Sequence, residues 1–135
     1  MPKVNFRLAQ SYTQLPNDPV LRPYVPVRLQ KGAEYQDTVG LIDSGADTSL
    51  FNDQYAVALG LDLADGKPSR TQGVGGIDDV VCFDIYLLVY GKRFAARVQF
   101  SSKWPPRYGL LGRNDFFQAF RVGFIQPRLY LHNIG

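Results

Sequence analysis

The most constraining feature of this chain is a pair of long β-forming runs, Val80–Tyr90 and Arg93–Phe100, that meet at Gly91-Lys92. Two alternating runs joined by so compact a glycine-containing link read as a hairpin. By their two-residue spacing Ile85, Leu87 and Val89 share one face, and Ala96, Val98 and Phe100 share one on the partner. A ribbon with one apolar face has to bury it, so a barrel or a sandwich is the natural container.

The rest of the chain follows suit. Val4, Phe6 and Leu8 alternate with polar residues and predict a half-buried strand, and Gln14–Pro23, with three prolines, predicts a loop. Val25, Val27 and Leu29 predict a second strand, in which Pro26 argues for an edge position. A turn around Gly32 returns the chain as a strand from Tyr35 to Ile42. After Phe51 the period changes: Asn52 suits an N-cap, Asp53 the helix start, and Tyr55 and Leu59 lie one turn apart before Gly60. A loop, Leu61–Lys67, leads into Pro68–Asp79, which holds Gly73-Val74-Gly75-Gly76-Ile77. Beyond the hairpin come a loop centred on Pro105-Pro106, a short apolar strand at Leu110-Leu111, and a second helix, Asp115–Phe120, capped by Asn114. Phe124–Ile134 closes the chain as strand, broken at Gln126-Pro127. The expectation is one mostly-β domain over residues 1–135, a closed barrel or sandwich with two short helices.

Composition narrows the chemistry. With 45% hydrophobic and 20% charged residues the chain is globular in type. Its net charge of +3 is spread over singly scattered Lys and Arg, without the clustered footprint that nucleic-acid binding needs. One cysteine, Cys82, excludes an internal disulfide and a cysteine-based zinc site, and one histidine, His132, excludes a multi-histidine metal site. Both lie in apolar, strand-like surroundings that suit structural roles. No apolar run reaches membrane-spanning length, and Met1–Gln10 alternates rather than forming a signal-peptide core. A soluble, cytoplasmic protein follows, with a fragment of a larger protein left open.

Three stretches carry chemistry. The first is Gly40-Leu41-Ile42-Asp43-Ser44-Gly45-Ala46-Asp47, where an apolar strand runs straight into an acidic, small-residue turn. A carboxylate set just past a core strand needs hydrogen-bond partners, which Ser44 and the backbone around Gly45 can offer. The second is Gly73-Val74-Gly75-Gly76, and the third is Leu110-Leu111-Gly112-Arg113-Asn114, an apolar strand that delivers an arginine into a turn. Singly, each also suits an ordinary turn. The glycines lack the Lys-Ser/Thr of a phosphate-cradling loop.

Together, in this order, these segments resemble the retropepsin-type aspartic proteases, the retroviral proteases and their cellular and bacterial relatives. The resemblance covers roughly Val25–Tyr130. It implies that Asp43 is the catalytic aspartate, that Ser44 hydrogen-bonds across a two-fold axis, and that Gly45 offers its carbonyl to substrate backbone. Ala46 completes the motif, and Asp47 pairs with Arg113 beneath the site. Gly73, Val74, Gly75 and Gly76 form part of a β-hairpin flap over substrate, Leu110 lines a side-chain subsite, and Trp104–Leu110 borders the cleft. No metal or other cofactor is implied.

Such a mechanism needs two carboxylates, and the chain has one Asp-Ser-Gly. The second therefore comes from Asp43 of another copy, so the expected active species is a symmetric homodimer acting on a peptide or protein. Two charges about 3 Å apart repel by roughly 5–6 kcal/mol at an effective dielectric of about 20. Such a pair shares one proton, so one member serves as general base to water while the other hydrogen-bonds the scissile carbonyl. Val4–Leu8 or Leu129–Ile134 are the strands expected to join the copies. Two other readings stand beside this one: a dimerisation or protein-binding module on the same fold with little proteolysis, and a basic β-barrel binding nucleic acid.

Overall fold

Where alternation is strongest the chain is extended. A computed structural model describes residues 8–73 and 76–134. In chain order the elements are β1 (Leu8–Ser11), β2 (Tyr24–Lys31), β3 (Glu34–Ile42), β4 (Leu50–Asn52) and α1 (Asp53–Ala58), followed by a 3-10 turn at Leu63–Asp65. Then come β5 (Lys67–Gly73), β6 (Gly76–Val89), β7 (Lys92–Ser101), β8 (Gly109–Leu111), α2 (Phe116–Ala119), β9 (Phe120–Ile125) and β10 (Arg128–Asn133).

Six strands close into a barrel in the order β2-β3-β8-β4-β7-β6, and β6 pairs back onto β2 through Arg28, Leu29 and Gln30. Closure pairs every strand of the ring on both sides over at least part of its length and encloses the inward side chains. The inward set matches the spacing: Ile85, Leu87 and Val89 from β6 and Ala96, Val98 and Phe100 from β7 are all buried. Val25, Val27 and Leu29 enter from β2, and Phe51, Leu111 and Phe116 fill the end near the candidate site. Cys82 is buried too, and burial pushes its thiol above the ordinary range. An inert, protonated thiol follows.

The fourteen residues of β6 outrun its partner β7. Pairing with β7 begins at Val81, whereas pairing with β5 runs from Cys82 back to Gly76 opposite Gly73. The distal part of the β5–β6 hairpin therefore projects past β7, tethered where Ser101 Oγ donates to Asp78. Val74 and Gly75, at its turn, lie outside the described residues, as do Val4 and Phe6 of the expected first strand.

Local differences from the sequence reading have simple causes. Pro26 is not on an edge strand, since β2 lies between β3 and β6; β6 engages β2 only from Arg28 onward, so no neighbour on that side asks for the missing N–H of Pro26. The tight link of the long hairpin is Tyr90-Gly91, one residue earlier than expected, with φ of 45° and 79°. Two left-handed residues give a turn whose twist matches the strands it joins. Lys67, placed at the end of the Leu61–Lys67 loop by the sequence reading, already belongs to strand β5. The second helix begins at Phe116, and Asp115 caps it, not Asn114. Phe116 and Phe120 stack with centroids 5.0 Å apart, and Phe120 already belongs to β9. β4, three residues long, carried no alternation to reveal it.

Outside the barrel β1, β10 and β9 form a three-stranded antiparallel sheet with β10 in the middle. Leu129 and Leu131 of β10 are buried. Both edges of β10 are thus occupied within the single chain, by β1 and β9. Among the described residues no helix is long and apolar enough to cross a membrane.

Candidate functional site

The site grows out of an interlock between the two motif segments. β8 pairs parallel with β3, Leu41 beside Leu110 and Ile42 beside Leu111, and on its other side antiparallel with β4 at Leu50. β3 and β4 therefore flank β8, and residues 43–49, which join them, arch across the end of β8. Gly112, the next residue out of β8, passes under that arch. A Cβ placed on Gly112 falls 2.7 Å and 2.9 Å from backbone atoms of Thr48 and 3.0 Å from Ala46 O. Only glycine fits there, because the obstacle is backbone and cannot rotate away.

Hydrogen bonds stitch arch to strand end. Asp43 N donates to Leu111 O (3.1 Å), Arg113 N to Ala46 O (2.9 Å) and Asn114 N to Asp47 O (2.8 Å). These backbone groups have left their strands and lack ladder partners, so each closes a demand that would otherwise fall to water. The Asp43 side chain is half-buried, and its Oδ1 accepts from Gly45 N at 2.8 Å. That bond fixes one carboxylate oxygen and leaves the other free to act. Ser44 and Gly45 are exposed at the crest, and Ala46 is half-buried.

Arg113 Nη2 donates to Asp47 Oδ1, and both side chains are more than half exposed in the single chain. Leu110 is half-buried in β8. The 102–108 loop is ordered from several directions. Trp104 O accepts from Asn52 Nδ2 (2.6 Å), Trp104 Nε1 donates to Tyr108 O (2.7 Å), and the Tyr55 hydroxyl donates to Pro106 O (2.7 Å). Gly73 and Gly76 face each other across the β5–β6 pairing. The structure thus brings Asp43, Ser44, Gly45, Ala46, Asp47, Leu110 and Arg113 into one cluster. Gly73 and Gly76 lie on the separate hairpin.

Two residues escaped the sequence reading. Ser49 is fully buried and Asp115 nearly so, and they join directly: Ser49 Oγ donates to Asp115 Oδ1 at 2.5 Å. Ser49 Oγ in turn accepts from Gly112 N at 3.1 Å. Burial raises the Asp115 carboxyl above its ordinary range, while the Ser49 hydroxyl and the backbone N–H groups of Phe116, Ser49 and Gly112 pull the other way. The available signal was an acid set immediately before the apolar pair Phe116-Phe117, where a helix cap needs an acceptor and the fold leaves no water.

The chain matches no protein-family model and none of the curated proteins.

Proposed function

We propose that this chain is a retropepsin-like aspartic endopeptidase that works as a symmetric homodimer. The observation that carries this reading is the interlock: two segments more than sixty residues apart lie side by side, with Asp43 at the start of the arch and one of its oxygens already oriented. An arch so tied resists reorganisation, which is what a proton-sharing carboxylate pair asks of its support. In the assembled enzyme the Asp43 carboxylates of the two copies hold one proton between them. The ionised member takes a proton from a water, the protonated one hydrogen-bonds the peptide carbonyl, and water adds to carbon without a covalent enzyme intermediate.

In this reading the projecting β5–β6 hairpin serves as the flap that excludes bulk water. Leu110 and the 102–108 loop border the cleft, and Ser44 links the copies near the axis. Among the described residues β1 and β9 are the outer strands of the three-stranded sheet, and in this reading their outer edges meet the other copy.

The test is cleavage of a peptide library by the full chain across a protein dilution series, beside Asp43→Asn. Specific activity is expected to fall on dilution as dimers dissociate. Asp43→Asn should lose at least about a thousandfold in kcat with circular dichroism and association unchanged. Cleavage that persists in Asp43→Asn removes the reading. A dimer that binds peptides but never cuts them points instead to a binding module on the same scaffold.

A further inference from the structure

We infer that Asp115 is a positioning residue of the Asp43 site, its buried carboxylate holding, through Ser49, the arch that carries Asp43. This rests on the peptidase reading and extends it to a residue that the motif pattern leaves without a role.

The geometry is that of a directed relay. Asp115 is 6% exposed and Ser49 0%. Asp115 Oδ1 accepts from Ser49 Oγ at 2.5 Å and from Phe116 N at 2.6 Å, and Oδ2 accepts from Ser49 N at 3.3 Å. A serine hydroxyl has one hydrogen. Because Asp115 takes it, the lone pairs of Ser49 Oγ are left for Gly112 N at 3.1 Å. The order Gly112 N–H to Ser49 O–H to Asp115 is therefore fixed by the carboxylate at its end. With no acceptor at residue 115, the Ser49 hydroxyl loses its reason to present oxygen to Gly112, and two buried N–H groups lose partners.

Residue 49 is the far foot of the arch. Its carbonyl accepts from Gln99 N at 2.9 Å, so it is moored to β7 as well. The near foot is the bond from Asp43 N to Leu111 O. Asp43 stands on a span whose two feet rest on consecutive residues of one strand end, Leu111 and Gly112. Loosening the Ser49 foot lets the span shift against the other copy. Reaction between pre-placed groups is steep in position: a displacement of about 1 Å costs on the order of 100-fold.

The test uses the full chain and four variants: Asp115→Ala, Asp115→Asn, Ser49→Ala and the double alanine. Steady-state kinetics on one peptide are normalised to sites titrated with a statine-containing peptide. Asp115→Ala is expected to lower kcat by about 30- to 100-fold, with KM changed less than about 2-fold. Asp115→Asn should recover to within about 5-fold of wild type, since its carboxamide oxygen still accepts from Ser49 and Phe116. Ser49→Ala should match Asp115→Ala, and the double variant should be no worse than the worse single, as two parts of one unit behave. Unchanged kcat per titrated site in both single alanine variants, or multiplicative losses, overturns the proposal. If the Asp115→Ala chain does not fold, Asp115→Asn and Ser49→Ala carry the same comparison.

A wild type that cleaves nothing defeats the peptidase reading alone. Amide hydrogen exchange then decides the role of Asp115. Exchange at Gly112, Arg113 and Asn114 is expected to quicken about 10-fold or more in Ser49→Ala and Asp115→Ala relative to β6–β7 amides, and to stay near wild type in Asp115→Asn. Equal protection overturns it.

Discussion

Two links cross the same gap, and they differ in almost everything but their ends. Asp47 and Arg113 form an ion pair whose side chains are 70% and 57% exposed. Ser49 and Asp115, a few residues further along each segment, form a hydrogen-bonded pair that is 0% and 6% exposed. The first is made of the residues that a motif displays. The second is made of residues a motif search passes over. Yet an exposed ion pair nets only about 0–1 kcal/mol, because water solvates the separated charges nearly as well. A buried acceptor removed from its donors costs about 1–3 kcal/mol, since nothing replaces it. In the single chain, the silent link holds the arch.

Gly112→Ala puts the largest strain on this contrast, because both links rely on the strand end passing under the arch. The added carbon meets Thr48 backbone at 2.7 Å, and neither segment can yield without breaking its cross-bonds. We expect a loss of about 3 kcal/mol, at the upper end for overpacking, read as a lower urea midpoint at unchanged slope. A loss below about 0.5 kcal/mol means that the arch is loose and that the buried link does not define it.

The next effect separates the links by pH. Burial, more than any other influence, raises the Asp115 carboxyl above its ordinary value of 3.8. A carboxyl that holds its proton more tightly folded than unfolded contributes stability that is full below that ordinary value. The contribution is lost as pH rises through the raised one. Asp115→Asn carries no charge and has nothing of this kind to lose. The stability of the Asn variant relative to wild type should therefore improve from about pH 4 towards neutrality, measured by urea unfolding at several pH values. A difference that stays flat or moves the other way shows that the hydrogen bonds outweigh burial and keep the carboxylate ionised throughout.

How far the sequence disclosed this depends on whether a residue acts along the chain or across it. The long hairpin was legible because Ile85, Leu87 and Val89 repeat every second residue, and that period is local. Helix α1 was legible because Asn52 caps it with its own side chain, accepting from Gln54 N. What alternation could not convey was barrel closure, which depends on three residues of β2 meeting β6 from the opposite side. Nor could it show β4, too short for any period, or the insertion of β10 between β1 and β9. In the site, the Asp43 turn was visible because its chemistry sits in consecutive residues. The relay of Gly112, Ser49 and Asp115 was not, for it exists only once the arch has crossed the strand, and serine or aspartate in turns usually signals nothing more than a turn.

The smallest effect on stability comes from the exposed link, and there the contrast with activity becomes sharpest. Asp47→Asn and Arg113→Met should each leave the unfolding free energy of the single chain within about 1 kcal/mol of wild type. Salt should matter little as well, since at most one exposed pair is lost. An ion pair gains when water is taken from it, because attraction between charges grows as the surrounding dielectric falls. If a second copy covers this part of the surface when the proposed dimer forms, the same substitutions will lower activity far more than stability, and dilution will deepen the loss. Equal, small effects on both at every protein concentration mean that the pair stays in water in the proposed dimer. In that event Arg113 serves the site through its backbone N–H to Ala46 O alone, and the conspicuous charges of the motif are the dispensable half of the interlock.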